Sequence, residues 1–214
     1  MINHKIVKIK RSKKYSDRFI IYLDNKSVLR VSEDAFVLNP LKVGDLLSRS
    51  DIKELDNKMN LHKAKDAAYR LLSYRMRSIA ELNKRLKEKG YNNLEIDSVI
   101  SYLIELDYLN DEVFGKAFVR EKVKSKKIGP VALRFEVAQH NLPIELLDKL
   151  LDSIYNEYPI NDLIIFHLNK KNILKNMTLS KKDANRLNNF LKRKGFYWDS
   201  IKTVYKEWGI LISN

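Results

Sequence analysis

The chain has 214 residues, 44% apolar and 32% charged, a composition that suits one or two globular domains and excludes a disordered or fibrous chain. Lys and Arg number 41 against 27 Asp and Glu, leaving +14, an excess that fits a polyanionic partner or one strongly acidic protein surface. There is no Cys, so disulfides and thiolate metal sites are excluded and a reducing, cytoplasmic setting is expected. The longest apolar runs, such as Phe19-Ile20-Ile21-Tyr22-Leu23, fall far short of a membrane span, and Met1-Ile2-Asn3-His4-Lys5 leads into no apolar signal core.

Ile6-Val7-Lys8-Ile9, Phe19 to Leu23 and Val28-Leu29-Arg30-Val31 are short runs rich in β-branched and aromatic residues, separated by polar turns. They predict a three-strand meander over 4–31, with Asp24-Asn25-Lys26-Ser27 as its second turn. Ser32 is placed to cap a short helix ending before Asn39-Pro40, Gly44 marks a turn, and Ser50 is expected to cap a longer helical stretch. With only six Gly and four Pro in the chain, helices alone are expected from there to the end.

Those helices repeat. Gly90, Asn141 and Gly195 stand 51 and 54 residues apart, each where a left-handed residue would end a helix. Leu82, Leu133 and Leu187 lie eight residues before them, and Leu86, Val137 and Leu191 four before. After them come Tyr91, Leu142 and Phe196, then Ile96, Leu147 and Ile201, then Val99, Leu150 and Val204. Ile100, Leu151 and Tyr205, and finally Leu103, Ile154 and Trp208, complete one helix face. Any two amphipathic helices share a face once aligned, but a fixed distance from face through pivot to face, three times over, favours a tandem repeat. Each unit gains a leading helix, over 63–76, 111–126 and 160–171, and second helices opened by the Ser78-Ile79-Ala80-Glu81 capping box, by Gly129-Pro130 and near Ser180. The predicted organisation is mainly α: a β-meander segment with helices over 1–60, then three-helix repeats over 61–109, 110–158 and 159–214, stacked into an elongated, curved array.

Nothing in the pattern makes an enzyme, a metal site or a cofactor site. His4, His62, His140 and His167 are scattered and read as surface or cap residues, no Gly-rich phosphate loop exists, and Asp148 and Asp152 read as a solvated helix edge. The basic residues are more ordered. Lys116, Arg120, Lys124 and Lys127 form one stripe about 16 Å long, opposite Phe114, Ala117 and Phe118. Lys182, Arg186 and Arg193 share a similar stripe, and Lys63, Arg70 and Arg77 do so with slight drift. A solubilising surface, or helix-end cations opposing the macrodipole, accounts for any one of these; the stripes together favour a partner-facing or polyanion-facing surface. Tyr74, Tyr102, Tyr108 and Tyr205 are open to two readings, stacking on bases or core residues with a hydroxyl reaching water.

From Arg75-Met76-Arg77-Ser78-Ile79-Ala80-Glu81-Leu82 through Leu86, Lys89-Gly90-Tyr91, Val99-Ile100, Leu103, Asp107-Tyr108-Leu109-Asn110-Asp111, Phe118-Val119-Arg120 and Lys127-Ile128-Gly129-Pro130, the chain resembles the RecX family of bacterial RecA regulators. The close match covers about residues 64–142 and a weaker repeat match continues to the C-terminus; Asp107 stands where the family often has Gly, and Gly115 where it often has Ala. The resemblance implies a monomeric, non-enzymatic protein that lodges in the groove of the RecA filament on single-stranded DNA. It would modulate, mostly inhibit, RecA ATPase, strand exchange and coprotease activity, and so regulate recombinational repair and the SOS response. It does not fix which residues touch RecA or DNA; Arg70, Arg77, Lys116, Arg120, Lys124, Lys127, Lys182, Arg186 and Arg193 are the candidates from charge patterning. The alternative is a helix-turn-helix-like regulator reading duplex DNA, against which stand Glu95, Asp97 and Glu105, and Glu145, Asp148 and Asp152, on the third helices.

Overall fold

A computed structural model describes residues 3–12, 18–38 and 40–213; Asn39 and residues 13–17, within the first turn of the expected meander, lie outside them. β1 (His4–Arg11), β2 (Arg18–Leu23) and β3 (Val28–Ser32) form the expected meander, and α1 (Glu33–Leu38) follows Ser32 directly. The second turn closes where Asn25 Oδ1 accepts from the Ser27 amide at 3.0 Å and Lys26 takes a φ of 65°. A fourth strand, β4 (Leu46–Leu47), pairs antiparallel with β1, so the sheet order is β3-β2-β1-β4. Two residues are too few to carry an alternation that sequence can reveal.

α2 (Arg49–Tyr74) is one helix of 26 residues. Its N-cap is Ser48, not Ser50: Ser48 Oγ accepts from the Asp51 amide at 3.2 Å and the Asp51 carboxylate accepts from the Ser48 amide at 2.8 Å. The expected division after residue 60 therefore falls inside a continuous helix, and the leading helix expected at 63 is its second half. Three helical sets follow, α2 with α3 (Ile79–Glu88) and α4 (Asn93–Glu105), α5 (Asp111–Lys126) with α6 (Pro130–Ala138) and α7 (Ile144–Glu157), and α8 (Ile160–Lys170) with α9 (Lys181–Arg193) and α10 (Trp198–Trp208). The pivots Gly90, Asn141 and Gly195 all have positive φ, at 89°, 48° and 89°. Every apolar position of the repeat is buried or half-buried. The expectation of helices alone fails at the end: β5 (Thr178–Ser180) and β6 (Leu211–Ser213) pair in parallel, three residues each.

The chain divides into two compact units, residues 1–76 with 82–108, and residues 77–81 with 109–214. In the first, Ile6, Ile21, Leu23, Leu29, Val31 and Leu47 of the sheet pack with Leu55 of α2, while the later turns of α2 pack on α4. In the second, one apolar core runs from Phe114 on α5 to Tyr205 on α10.

Two positions in the second unit depart from sequence expectation. Gly115 reads as a weak point costing about 1 kcal/mol against Ala, yet it is buried, and a Cβ there would lie 2.5 Å from Leu150 Cδ1 and 3.2 Å from Leu142 Cδ1. Leu150 is buried and has no solvent to swing into. Gly115→Ala is expected to destabilise by about 1 kcal/mol, overpacking outweighing the gain in helix propensity; urea unfolding checks this, and a stabilised variant would show that Leu150 yields freely. Ala117, placed with the apolar face, is exposed.

Candidate functional site

The outer face of α5 carries the strongest basic stripe. Lys116 pairs with Glu112 one turn earlier at 2.5 Å, and Arg120 reaches Glu157 at the end of α7 at 2.7 Å. Both pairs are exposed, so each contributes little to stability and leaves its cation within reach of a partner. Their electrostatics agree: hydrogen bonding to Lys116 lowers the Glu112 carboxyl, and the Glu157 hydrogen bond raises the Arg120 guanidinium. Lys124 is exposed on the same face. Lys127 is half-buried: it caps α5 in the left-handed conformation, at φ 50°, and its Nζ lies 5.6 Å from the Phe166 ring centre.

A second cationic edge of α5 turns toward α6, where Lys126 and Lys122 approach Glu136 at 2.5 and 3.6 Å and hold its carboxyl down. In the third set Lys182, Arg186 and Arg193 are all exposed on α9, Arg186 lying 3.5 Å from Asp183. Lysines also rest on aromatic faces there, Lys171 over Phe190 at 4.3 Å and Lys192 over Trp198 at 5.4 Å.

The C-terminal ends of α5, α8 and α9 converge, which no linear pattern shows. Lys194 Nζ donates to the Lys126 carbonyl at 3.3 Å, and His167 Nε2 donates to the Lys127 carbonyl at 2.7 Å. His167 is buried among Phe166, Phe190 and Phe196, not a surface residue, and burial first, then Lys194, Lys170 and Lys171, push its pKa below 6.5. Its signal in sequence is its place beside Ile164 and Leu168 on one helix face.

Arg77 does not share an exposed stripe. Its side chain is 10% exposed and pairs with Glu81, which also lies 3.8 Å from His140 Nδ1. His140 packs against Phe114 and Phe118, and Ser78 Oγ, wholly buried, donates to the His140 carbonyl at 3.0 Å while accepting the Glu81 amide at 3.1 Å. The Asp111 carboxylate accepts the Ile79 amide at 2.8 Å, and burial raises its pKa. These groups are structural, closing the start of α3. Arg70 is exposed on α2 in the first unit. Of the tyrosines, Tyr74 and Tyr108 are exposed, Tyr102 is half-buried beneath Lys65, and Tyr205 is core with its hydroxyl donating to Asn188 at 2.8 Å.

Three-helix sets that follow a small antiparallel sheet in the chain, with exposed cations along α5 and α9, define a helical protein whose prominent surface feature is charge. The family model described as "RecX, first three-helix domain" matches residues 64–103. Regulatory protein RecX of Bacillus subtilis is 34% identical over 93% of this chain and 75% of its own, and that of Clostridium botulinum 28% identical over 95% of each. A crystal structure of regulatory protein RecX superposes with a TM-score of 0.73 at 22% identity, covering 95% of this chain and 99% of that one. The chain belongs to the RecX family of regulatory proteins. No helix of the described residues is long and apolar enough to cross a membrane.

Proposed function

We propose that this protein is a cytoplasmic, monomeric, non-enzymatic modulator of RecA. It binds the RecA filament on single-stranded DNA in its helical groove and mostly inhibits ATPase, strand exchange and coprotease activity, and so regulates recombinational repair and the SOS response. The observation that carries this reading is family membership over nearly the whole chain. The exposed face of α5 supplies the contact chemistry: Lys116, Arg120 and Lys124 face an acidic protein surface or DNA phosphates, with Lys182, Arg186 and Arg193 on α9 as a second contact. The three repeats span adjacent RecA protomers, and tighter binding to one filament state shifts the population toward it. The exposed Asp97, Glu105, Asp148 and Asp152 on α4 and α7 disfavour the alternative, a duplex-DNA regulator reading the major groove with those helices.

The test is the DNA-dependent ATPase of the cognate RecA on single-stranded DNA, titrated with this protein. Suppression well below one molecule per protomer is expected, and no effect at any ratio would reject the reading. Changing Lys116, Arg120 and Lys124 together to Glu is expected to raise the half-inhibitory concentration at least about tenfold, since three charge-assisted contacts become repulsive. Helicity should be unchanged. Inhibition as strong as the wild type's would remove α5 from the contact surface.

A further inference from the structure

Where the C-terminal ends of α5, α8 and α9 converge in the second unit, four lysines gather about His167: Lys127 ends α5, Lys170 and Lys171 end α8, and Lys194 ends α9. Lys171 Nζ and Lys194 Nζ share one ring, lying 4.3 and 6.0 Å from the centre of Phe190, and Lys127 Nζ lies 5.6 Å from the centre of Phe166. Both rings pack against His167, with centres 5.5 and 5.3 Å away. Every side-chain charge that bears on this buried imidazole is positive, from Lys194, Lys170 and Lys171. Among the described residues none of the four lysines pairs with a carboxylate. Helix macrodipoles account for a cation at each end. They do not account for a cluster without a single acid, whose members repel one another.

We propose that this cluster is a binding site for a compact polyphosphate anion, the phosphate chain of inorganic tripolyphosphate or of a free nucleoside triphosphate. Ammoniums brought by three helix ends to one pair of rings match an anion whose several charges sit on adjacent phosphorus atoms. The phosphates of a nucleic-acid strand carry one charge each and are spread along its length. An ammonium has three N–H donors, and the ring faces place the lysines without consuming those donors. Only Lys194 uses one, on the Lys126 carbonyl at 3.3 Å, so a polyphosphate meets donors already in position for charge-assisted hydrogen bonds. The bound anion also relieves the repulsion among the lysines. Lys127 thus leaves the exposed stripe of α5 for this site. The inference goes beyond the RecA reading and does not rest on it.

Isothermal titration calorimetry of the full-length protein with tripolyphosphate, ATP and AMP, free of divalent cations and in about 0.15 M salt, reads the site directly. Tripolyphosphate is expected to bind at one site per chain, and AMP at least about tenfold more weakly, since its single phosphate reaches fewer ammoniums. ATP bound as tightly as tripolyphosphate assigns the site to the phosphate chain of either source, and ATP bound at least about tenfold more weakly assigns it to the inorganic chain. Lys170→Gln with Lys171→Gln, both exposed and so harmless to the fold, is expected to weaken tripolyphosphate binding at least about tenfold. Lys8→Gln with Lys10→Gln removes the same charge from β1 and should change it less than about twofold, since exposed charges beyond a Debye length are screened. Wild-type protein that does not bind tripolyphosphate overturns the proposal, as does AMP bound as tightly as ATP. So does a Lys170 and Lys171 variant that binds as the wild type does, or an equal loss in the Lys8 and Lys10 variant, which would reduce the effect to net charge. Oligothymidylate affinity lost in the same proportion as tripolyphosphate affinity would make the cluster part of a nucleic-acid surface and equally overturn it.

Discussion

Gly195→Ala is expected to lower the unfolding free energy by about 4 kcal/mol. Two costs combine. At φ 89° a side chain is strained by about 1–2 kcal/mol. The added Cβ would also overlap the Ala132 backbone nitrogen and sit 2.5 Å from Ala132 Cβ. Ala132 has no room to retreat, because two turns meet here backbone to backbone: Gly129 N–H donates to the Lys194 carbonyl at 2.8 Å and Val131 N–H to the Gly195 carbonyl at 3.1 Å. Separating them forfeits two hydrogen bonds of about 1 kcal/mol each. Gly90 supplies the control. It has the same φ, 89°, in the equivalent turn, and nothing lies within 4 Å of a Cβ there. Gly90→Ala should cost only the backbone strain, about 1–2 kcal/mol. Chemical denaturation of both variants checks the contrast; equal losses would mean that backbone strain, not the docking of the two turns, dominates.

His167→Ala is expected to destabilise by about 3 kcal/mol, and the wild type should lose stability in mild acid. Truncation leaves a cavity among Phe166, Phe190 and Phe196 and strips the Lys127 carbonyl of its donor. The pH dependence follows from the direction of the shift. Burial and nearby lysines hold the folded imidazole below 6.5, so above 6.5 both states are neutral and the full stability is present. As pH falls below 6.5 the unfolded chain takes up a proton that the folded chain refuses, and stability declines until the lowered folded value is reached. His167→Phe keeps a ring in the site, costs about 1 kcal/mol for the lost hydrogen bond, and should flatten that part of the pH profile. Urea unfolding at about pH 7.5 and about pH 5.5, bracketing the ordinary histidine value, decides it; a variant as acid-sensitive as the wild type would assign the proton elsewhere.

Much of the fold is legible in the residues because local signals and burial agree. The meander shows in its β-branched runs, and the pivots show because a left-handed residue after an apolar face is what ends a helix. β4, β5 and β6 do not show, since two or three residues carry no period and the parallel pair of Thr178 with Leu211 joins segments 33 residues apart. Ser48 and Ser50 are equally good caps on paper; the choice rests on Asp51 standing three residues after Ser48. The α5 stripe is readable from spacing alone, but the pairing of Arg120 with Glu157 needs α7 in place. Arg77 and Arg70 look alike in sequence and part company in space, one closed around Glu81 and the other open to a groove. The groove between the start of β2, the second half of α2 and the α3–α4 turn is legible only in fragments, because Arg18, Arg70 and Lys89 come from three elements that the chain order does not place together.

The unbroken course of α2 makes the first unit a geared device. The sheet grips the helix through Leu55 near its start, and α4 grips it past the middle. Each residue of an α-helix advances about 1.5 Å and turns about 100°. Deleting one residue near Asn60 would therefore rotate the sheet by more than a quarter turn about the axis on which α4 rides, carrying Arg18 away from Arg70. The spacing between those two grips is a phase setting: sequence can drift along the outer face of this helix, but its length cannot slip by a single tooth.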